Sequence, residues 1–230
     1  MIKTIAKYKI KIFLSLLIAT ILWFVFFNDN NTNGNQNSSN DISDLKDFSS
    51  DISSDLLLTG TLEDKFIGNE IAPIIIIEYA SMTCSHCADF HNSVLQELKE
   101  KYIDTGIVKF IFREYPIDSL AMAVSMLGRC VEDDKYFPFI NILFQQRNQW
   151  ITENPIEPLK NLSMQAGLSN KLFDQCLNDQ ELLDALQATK NYASEKLGVT
   201  STPTFFINNK MITGSKSFET FDNEIQNIIY

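Results

Sequence analysis

The sequence predicts an α/β domain whose two halves, β-α-β and β-β-α, flank an all-helical block. Three observations carry that prediction. An apolar run, Ile74 to Ile77, leads into Cys84-Ser85-His86-Cys87 and a segment of helical spacing. About 120 residues later, Thr202-Pro203 introduces a second short apolar run. Between them, from Leu120 to Leu197, no strand signal occurs and the apolar pattern is helical.

Four lysines (Lys3, Lys7, Lys9, Lys11) open the chain, followed by sixteen residues without charge, Ile12 to Phe27. That length falls between a secretory h-region of about 7–15 residues and a membrane-spanning helix of about 20. Residues 1–27 therefore read as an export signal, either an anchor held in the inner membrane by residues 12–27 or a cleaved signal peptide. The following Asn28-Asp29-Asn30-Asn31 offers no small-x-small cleavage site and favours the anchor. Lysines retained in the cytoplasm place the body outside it, in the periplasm. Residues 28–58 read as a polar linker, disordered through the Asn/Ser/Gly-rich stretch to Asn40 and weakly amphipathic beyond it.

Order is expected from about Thr59, with a first half-domain over residues 59–117. The continuous β-branched character of Ile74–Ile77 suits a strand covered on both faces. Cys87, Phe90, Val94, Leu98 and Tyr102 recur at helical intervals, Gly106 ends that helix, and Val108 to Phe112 reads as the next strand. Residues 118–197 form the helical insertion, with helices around Leu120–Glu132, Tyr136–Asn148, Glu157–Ala166, Asn170–Leu177 and Gln180–Leu197. Phe137, Phe139, Phe144 and Trp150 read as its core, with a peptide groove as the alternative place for some of them. Residues 198–230 supply a hairpin turning at Asn208-Asn209 and an amphipathic helix, Phe218 to Ile229.

Composition narrows the function. The net charge is −10, and beyond the opening lysines 15 basic residues face 29 acidic ones. Such a body does not neutralise phosphates, which excludes nucleic acid as a partner class. Export makes each of the four cysteines a candidate for pairing. Two thiols two residues apart at a strand-to-helix turn close into a disulfide with little backbone movement, and a helix N-terminus favours thiolate over thiol. The pattern points to thiol–disulfide exchange, which needs no cofactor. Cys84, Cys87 and His91 also form a C-x₂-C-x₃-H string, but no fourth ligand accompanies it, so no metal site is assigned; His91 reads as a helix-surface residue.

The element order, the Cys-x-x-Cys opening the first helix and the Thr-Pro before a later strand together resemble the thioredoxin fold over roughly Leu62 to Tyr230. The helical block between the halves resembles the DsbA-like branch of extracytoplasmic disulfide oxidoreductases. The resemblance implies that Cys84 is the nucleophile, that His86 supports its thiolate and that Cys87 is the buried resolving thiol. It implies that Glu78 is the buried acid handling the resolving proton, with a solvated strand-end glutamate as the alternative. A basic residue near that acid has no clean match, Lys109 and Arg113 being the candidates. Pro203 resembles the cis-proline facing the disulfide, and Thr202 would offer backbone groups to an extended substrate. The same resemblance implies a structural disulfide between Cys130 and Cys176, with two free buried thiols or a second redox pair as alternatives. It implies cysteine-containing exported polypeptides as substrates and a DsbB-like membrane reoxidase as partner. Ser85 stands where the family's oxidases often carry proline, and threonine precedes the proline in isomerase-like relatives too. An isomerase or reductase using the same residues, or a binding module for exported chains, therefore stays open.

Overall fold

The computed structural model describes Leu56 and residues 62–230. The expected export segment and, apart from Leu56, the expected linker lie outside the described residues. Among the described residues no helix is long and apolar enough to cross a membrane.

The Ile74–Ile77 run belongs to the middle strand of a five-stranded mixed sheet. In chain order the strands are β1 (Lys65–Ile67), β2 (Ile74–Ala80), β3 (Val108–Glu114), β4 (Thr204–Ile207) and β5 (Lys210–Thr213), arranged β1-β3-β2-β4-β5. β2 and β3 run parallel, with Glu78 opposite Phe112, while β4 lies antiparallel on the other side of β2 and sets Phe205 opposite Glu78. β1, too short at three residues for alternation to register in the sequence, was not legible as a strand; it pairs antiparallel with β3. Asn208, at the hairpin turn, has φ 48 and clasps β2 through a backbone and a side-chain bond to Ile75.

The first long helical segment opens as α1 (Ser85–Asp89), passes through a π-helical stretch (Phe90–Val94), continues as α2 (Leu95–Leu98) and ends in a second π-helical stretch, Lys99–Ile103. The sequence explains this interruption. Phe90, Val94, Leu98 and Tyr102 are spaced strictly by four, which drifts around an α-helix of 3.6 residues per turn. Wider i→i+5 turns absorb the surplus residues, and all four side chains stay buried. The connecting block holds α3 (Ser119–Arg129), α4 (Asp133–Gln145), α5 (Arg147–Trp150), α6 (Ile156–Gln165), α7 (Asn170–Leu177) and α8 (Gln180–Lys196). The helix expected to run through to Asn148 breaks at Gln146, whose backbone leaves the helical region. α9 (Phe218–Ile229) closes the chain.

Alternation along β2 and β3 divides the core between the sheet's two faces. Ile74, Ile76, Val108, Phe110 and Phe112 join the larger cluster with Phe90, Phe205 and Phe221 and the block's Phe139, Phe144 and Trp150. Ile77, Tyr79 and Ile111 pack on the other face with Phe206, Val199 and Leu56. Leu56 lies within the stretch read as linker, yet it is buried and its carbonyl accepts from Arg113 Nη1 at 2.8 Å. Arg113 also grips Asp64 at 2.7 and 2.8 Å. On the opposite face Arg129 of α3 holds Glu114 of β3 with two bonds of 2.6 Å, and Tyr136 of α4 donates to the same carboxylate.

Cys130 and Cys176 are joined as a disulfide that ties the end of α3 to α7, 46 residues on. Closing a loop of that length removes about 4 kcal/mol of unfolded-chain entropy in the chain-entropy model. Replacing both residues by alanine is expected to lower the unfolding free energy by up to about that amount. Urea titration of oxidised wild type against the double variant measures it.

Candidate active site

Two segments far apart in sequence meet where β2 hands over to α1. The turn Ser81–Thr83 carries the chain out of the sheet, with Cys84 N–H bonded to the Ser81 carbonyl at 3.1 Å. Cys84 then caps α1 with extended backbone, φ −75 and ψ 122, so its sulfur stands at the mouth of the helix. From the second half of the chain, Thr202-Pro203 arrives with a cis peptide bond. The Cys84 Sγ lies 3.4 Å from the Thr202 carbonyl.

Cys84 and Cys87 are free thiols in contrasting surroundings. Cys84 is half-buried, whereas Cys87 is wholly buried. A hydrogen bond from the Cys87 side chain, another from the Thr202 side chain and backbone N–H groups of Cys87 and His86 all favour the charged Cys84 sulfur. Together they overcome partial burial and lower its pKa from the ordinary 9.0 to about 5. Burial, the hydrogen bond to Cys84 and the nearby charge of Glu78 push the Cys87 thiol well above its ordinary value. The outer sulfur holds charge readily; the inner one resists it.

His86 contributes its backbone N–H to that sulfur rather than its ring. The imidazole is exposed, 3.8 Å from Asp89. Glu78 is fully buried on the same sheet face as Ile76 and Phe112, so the solvated strand-end alternative fails. Burial raises its carboxyl above the usual range, against the lowering influence of His91. Neither basic candidate partners it. Arg113 points to the opposite face toward Asp64 and Tyr79, and Lys109 lies over the Phe66 ring at 4.0 Å. The partner is His91, whose Nε2 is 2.7 Å from Glu78 Oε2.

The reading of His91 as a surface residue is thus corrected. It lies in the π-helical stretch, is 1% exposed and packs against Phe144 with ring centroids 4.3 Å apart and planes tilted by 31°. Its place four residues after Cys87, on the buried side of the helix, was the signal available in the sequence. Two other residues were not legible at all. Arg147 reaches from α5 to the Thr83 carbonyl at 2.6 and 3.2 Å, and Asp118 accepts from Thr83 Oγ1 at 2.6 Å while capping α3 through Ala121 N–H. Both fix the residue just before Cys84. Among the described residues no group of three or more His, Cys, Asp and Glu has the arrangement of a metal site.

Two outcomes follow from these environments. Titrating the thiolate absorbance of the reduced protein should give a midpoint near 5, and Cys87→Ala should raise it toward 9.0, because the largest favourable contact is lost. The stabilisation of the reduced fold by Cys84 belongs to a depressed pKa, so it is fully present above about 9 and is lost as pH falls through about 5. The gap in urea midpoint between reduced wild type and Cys84→Ser should therefore widen as pH rises across that window.

The architecture has known relatives. The Thioredoxin family model matches residues 61–227. The crystal structure of Wolbachia pipientis alpha-DsbA1 superposes with a TM-score of 0.70 at 36% identity, covering 76% of this chain and 96% of that one. BdbD from Bacillus subtilis shares the fold, at a TM-score of 0.65 and 19% identity over 72% of this chain and 92% of its own. A curated protein of Rickettsia felis, provisionally named a protein-disulfide oxidoreductase, is 32% identical over 164 residues, 70% of this chain. The chain spans 59% of that relative's length. A match over this much of the sequence, with the helical block in place between the two halves of the sheet, means that the chain belongs to the thioredoxin family, in its DsbA-like branch.

Proposed function

We propose that the chain is an exported protein-disulfide oxidoreductase that introduces disulfide bonds into other exported polypeptides through Cys84-Ser85-His86-Cys87. One observation carries the reading. A sulfur with a thiolate-favouring environment stands half-exposed at a helix mouth, 3.4 Å from the backbone beside Pro203, with a buried thiol one turn behind it. In the oxidised protein a substrate thiolate attacks Cys84 Sγ. The Cys84–Cys87 bond breaks, its electron pair goes to Cys87 Sγ, and that sulfur takes up a proton. A second substrate thiolate then attacks the substrate sulfur of the mixed disulfide. The substrate leaves oxidised and Cys84 leaves as thiolate, which its surroundings stabilise. A stable thiolate favours the reduced protein, so its disulfide is a strong oxidant.

In this reading Thr202 offers backbone groups to the extended client chain beside Pro203. Glu78 serves as the buried proton carrier for Cys87. The substrates are cysteine-containing exported polypeptides, and a DsbB-like membrane protein restores the disulfide. The site lies outside the cytoplasm, in the periplasm. The names of the relatives support the reaction class, and the low Cys84 pKa supports the oxidising direction over isomerase or reductase work with the same residues.

Incubation with reduced, unfolded client protein tests this. Oxidised wild type should form client disulfides stoichiometrically, and Cys84→Ala should abolish the transfer. Equilibration with glutathione fixes the direction. A potential close to thioredoxin's, about −270 mV, would replace the oxidase reading by a reductase. Undiminished function of Cys84→Ala would point to a binding module instead.

A further inference from the structure

The exchange steps use Glu78 as a proton carrier but leave its buried partner without a task. Glu78 and His91 are both sealed from solvent and joined by one 2.7 Å contact between Nε2 and Oε2. Each keeps one buried atom without a partner among the described residues, Glu78 Oε1 and His91 Nδ1. The surroundings are aromatic: the Phe144 ring lies tilted against the imidazole, and Phe110, Phe112 and Phe90 meet it edge-on. Buried polar atoms normally find partners, so two orphaned atoms at the outer ends of one hydrogen-bonded pair need an explanation beyond packing.

We propose that His91 is the positioning residue for Glu78, and that the pair holds as one unit the proton delivered to Cys87 when the Cys84–Cys87 disulfide opens. The proposal rests on the exchange chemistry above. Before opening, the pair carries two protons, one in the Nε2–Oε2 bridge and one on the outer carboxyl atom, Glu78 Oε1, and it is neutral overall. Attack on Cys84 Sγ sends the disulfide's electron pair to Cys87 Sγ, and the outer proton follows it there. The bridging N–H then donates to a carboxylate, and the pair carries one negative charge. The contact persists in both states because only Glu78 Oε1 gains or loses a proton. Without His91 the carboxylate would be left in an aromatic box with no donor, so the acid would keep its proton and the transfer would stall.

Every charged or titratable group facing the pair fits this arrangement. Cys84 and Cys87 approach from α1, and each is electrostatically coupled to Glu78. Tyr136 faces Glu78 from α4, but its hydroxyl is committed to Glu114. Arg113, on the neighbouring strand, is engaged on the other face with Asp64. His91 is therefore the cationic or donor group within bonding reach of Glu78 among the described residues.

Redox difference infrared spectroscopy, with dithiothreitol as the reductant, reads the carboxyl directly. Wild type should lose a protonated-carboxyl band on reduction, and Glu78→Gln should lack that band altogether. In His91→Phe, which keeps a ring against Phe144, the band should survive reduction. Opening of the disulfide by dithiothreitol should slow on the order of 10²-fold with a displaced pH profile. His91→Gln restores a donor to Glu78 and should recover the rate to within roughly tenfold of wild type; it decides alone if the Phe variant does not fold. An unchanged band in wild type on reduction, wild-type band loss and pH profile in His91→Phe, or a band that survives reduction in His91→Gln would overturn the proposal. Since dithiothreitol drives the measurement, failure to oxidise client proteins would sink the proposed function and leave this result readable.

Discussion

Two sulfurs three residues apart occupy opposite electrostatic surroundings, and most of the molecule serves to keep them so. Cys84 stands at the start of a helix, where unsatisfied N–H groups and the Thr202 side chain welcome a charge. Cys87 is one turn deeper, among the aliphatic and aromatic side chains of the larger core, where ionisation is penalised by lost solvation. Exchange of the same bond at either sulfur would otherwise be chemically equivalent. In the proposed reaction the difference in burial decides which sulfur meets a client and which must be given a proton.

The middle strand of the sheet sets that depth. β2 ends at Ala80, and the turn after it lifts Cys84 above the sheet edge while α1 returns over the face that carries Glu78. Alternation along β2 puts Glu78 with Ile74 and Ile76 rather than with Ile77 and Tyr79. The carboxyl thereby lies between Phe112 and Phe205 on the flanking strands. A single residue of register slip would send it to the other face, away from the inner thiol whose ionisation its charge opposes.

The helical block does more than add core. Its Arg147 and Asp118 hold Thr83 from two sides, so the residue preceding Cys84 is fixed by elements far away in sequence. The block is in turn pinned to the sheet by Arg129 and Tyr136 on the buried Glu114, and by Lys65 of β1 on Asp133. Losing one partner of the buried Arg129–Glu114 pair costs about 3–5 kcal/mol because the other charge is left unpaired. These contacts make the placement of Cys84 a property of the entire domain.

Local pattern carried much of this. The β-branched run, the spacing of Cys84 and Cys87, the helix-stopping glycines and the Thr-Pro before Phe205 are short-range signals with direct backbone consequences, and they located the fold and the thiol pair. The cis geometry of Thr202-Pro203, expected from family resemblance, is present. Three residues give β1 too little length for periodicity to register. Arg147, Asp118 and the partner of Glu78 depend on contacts between segments 13 to 64 residues apart, which no local spacing encodes. His91 marks the boundary between the two kinds of information. Its distance from Cys87 placed it on a helix, but only the π-helical turns and the packing of Phe144 brought it inside against Glu78, because a helix face becomes interior only when another element covers it.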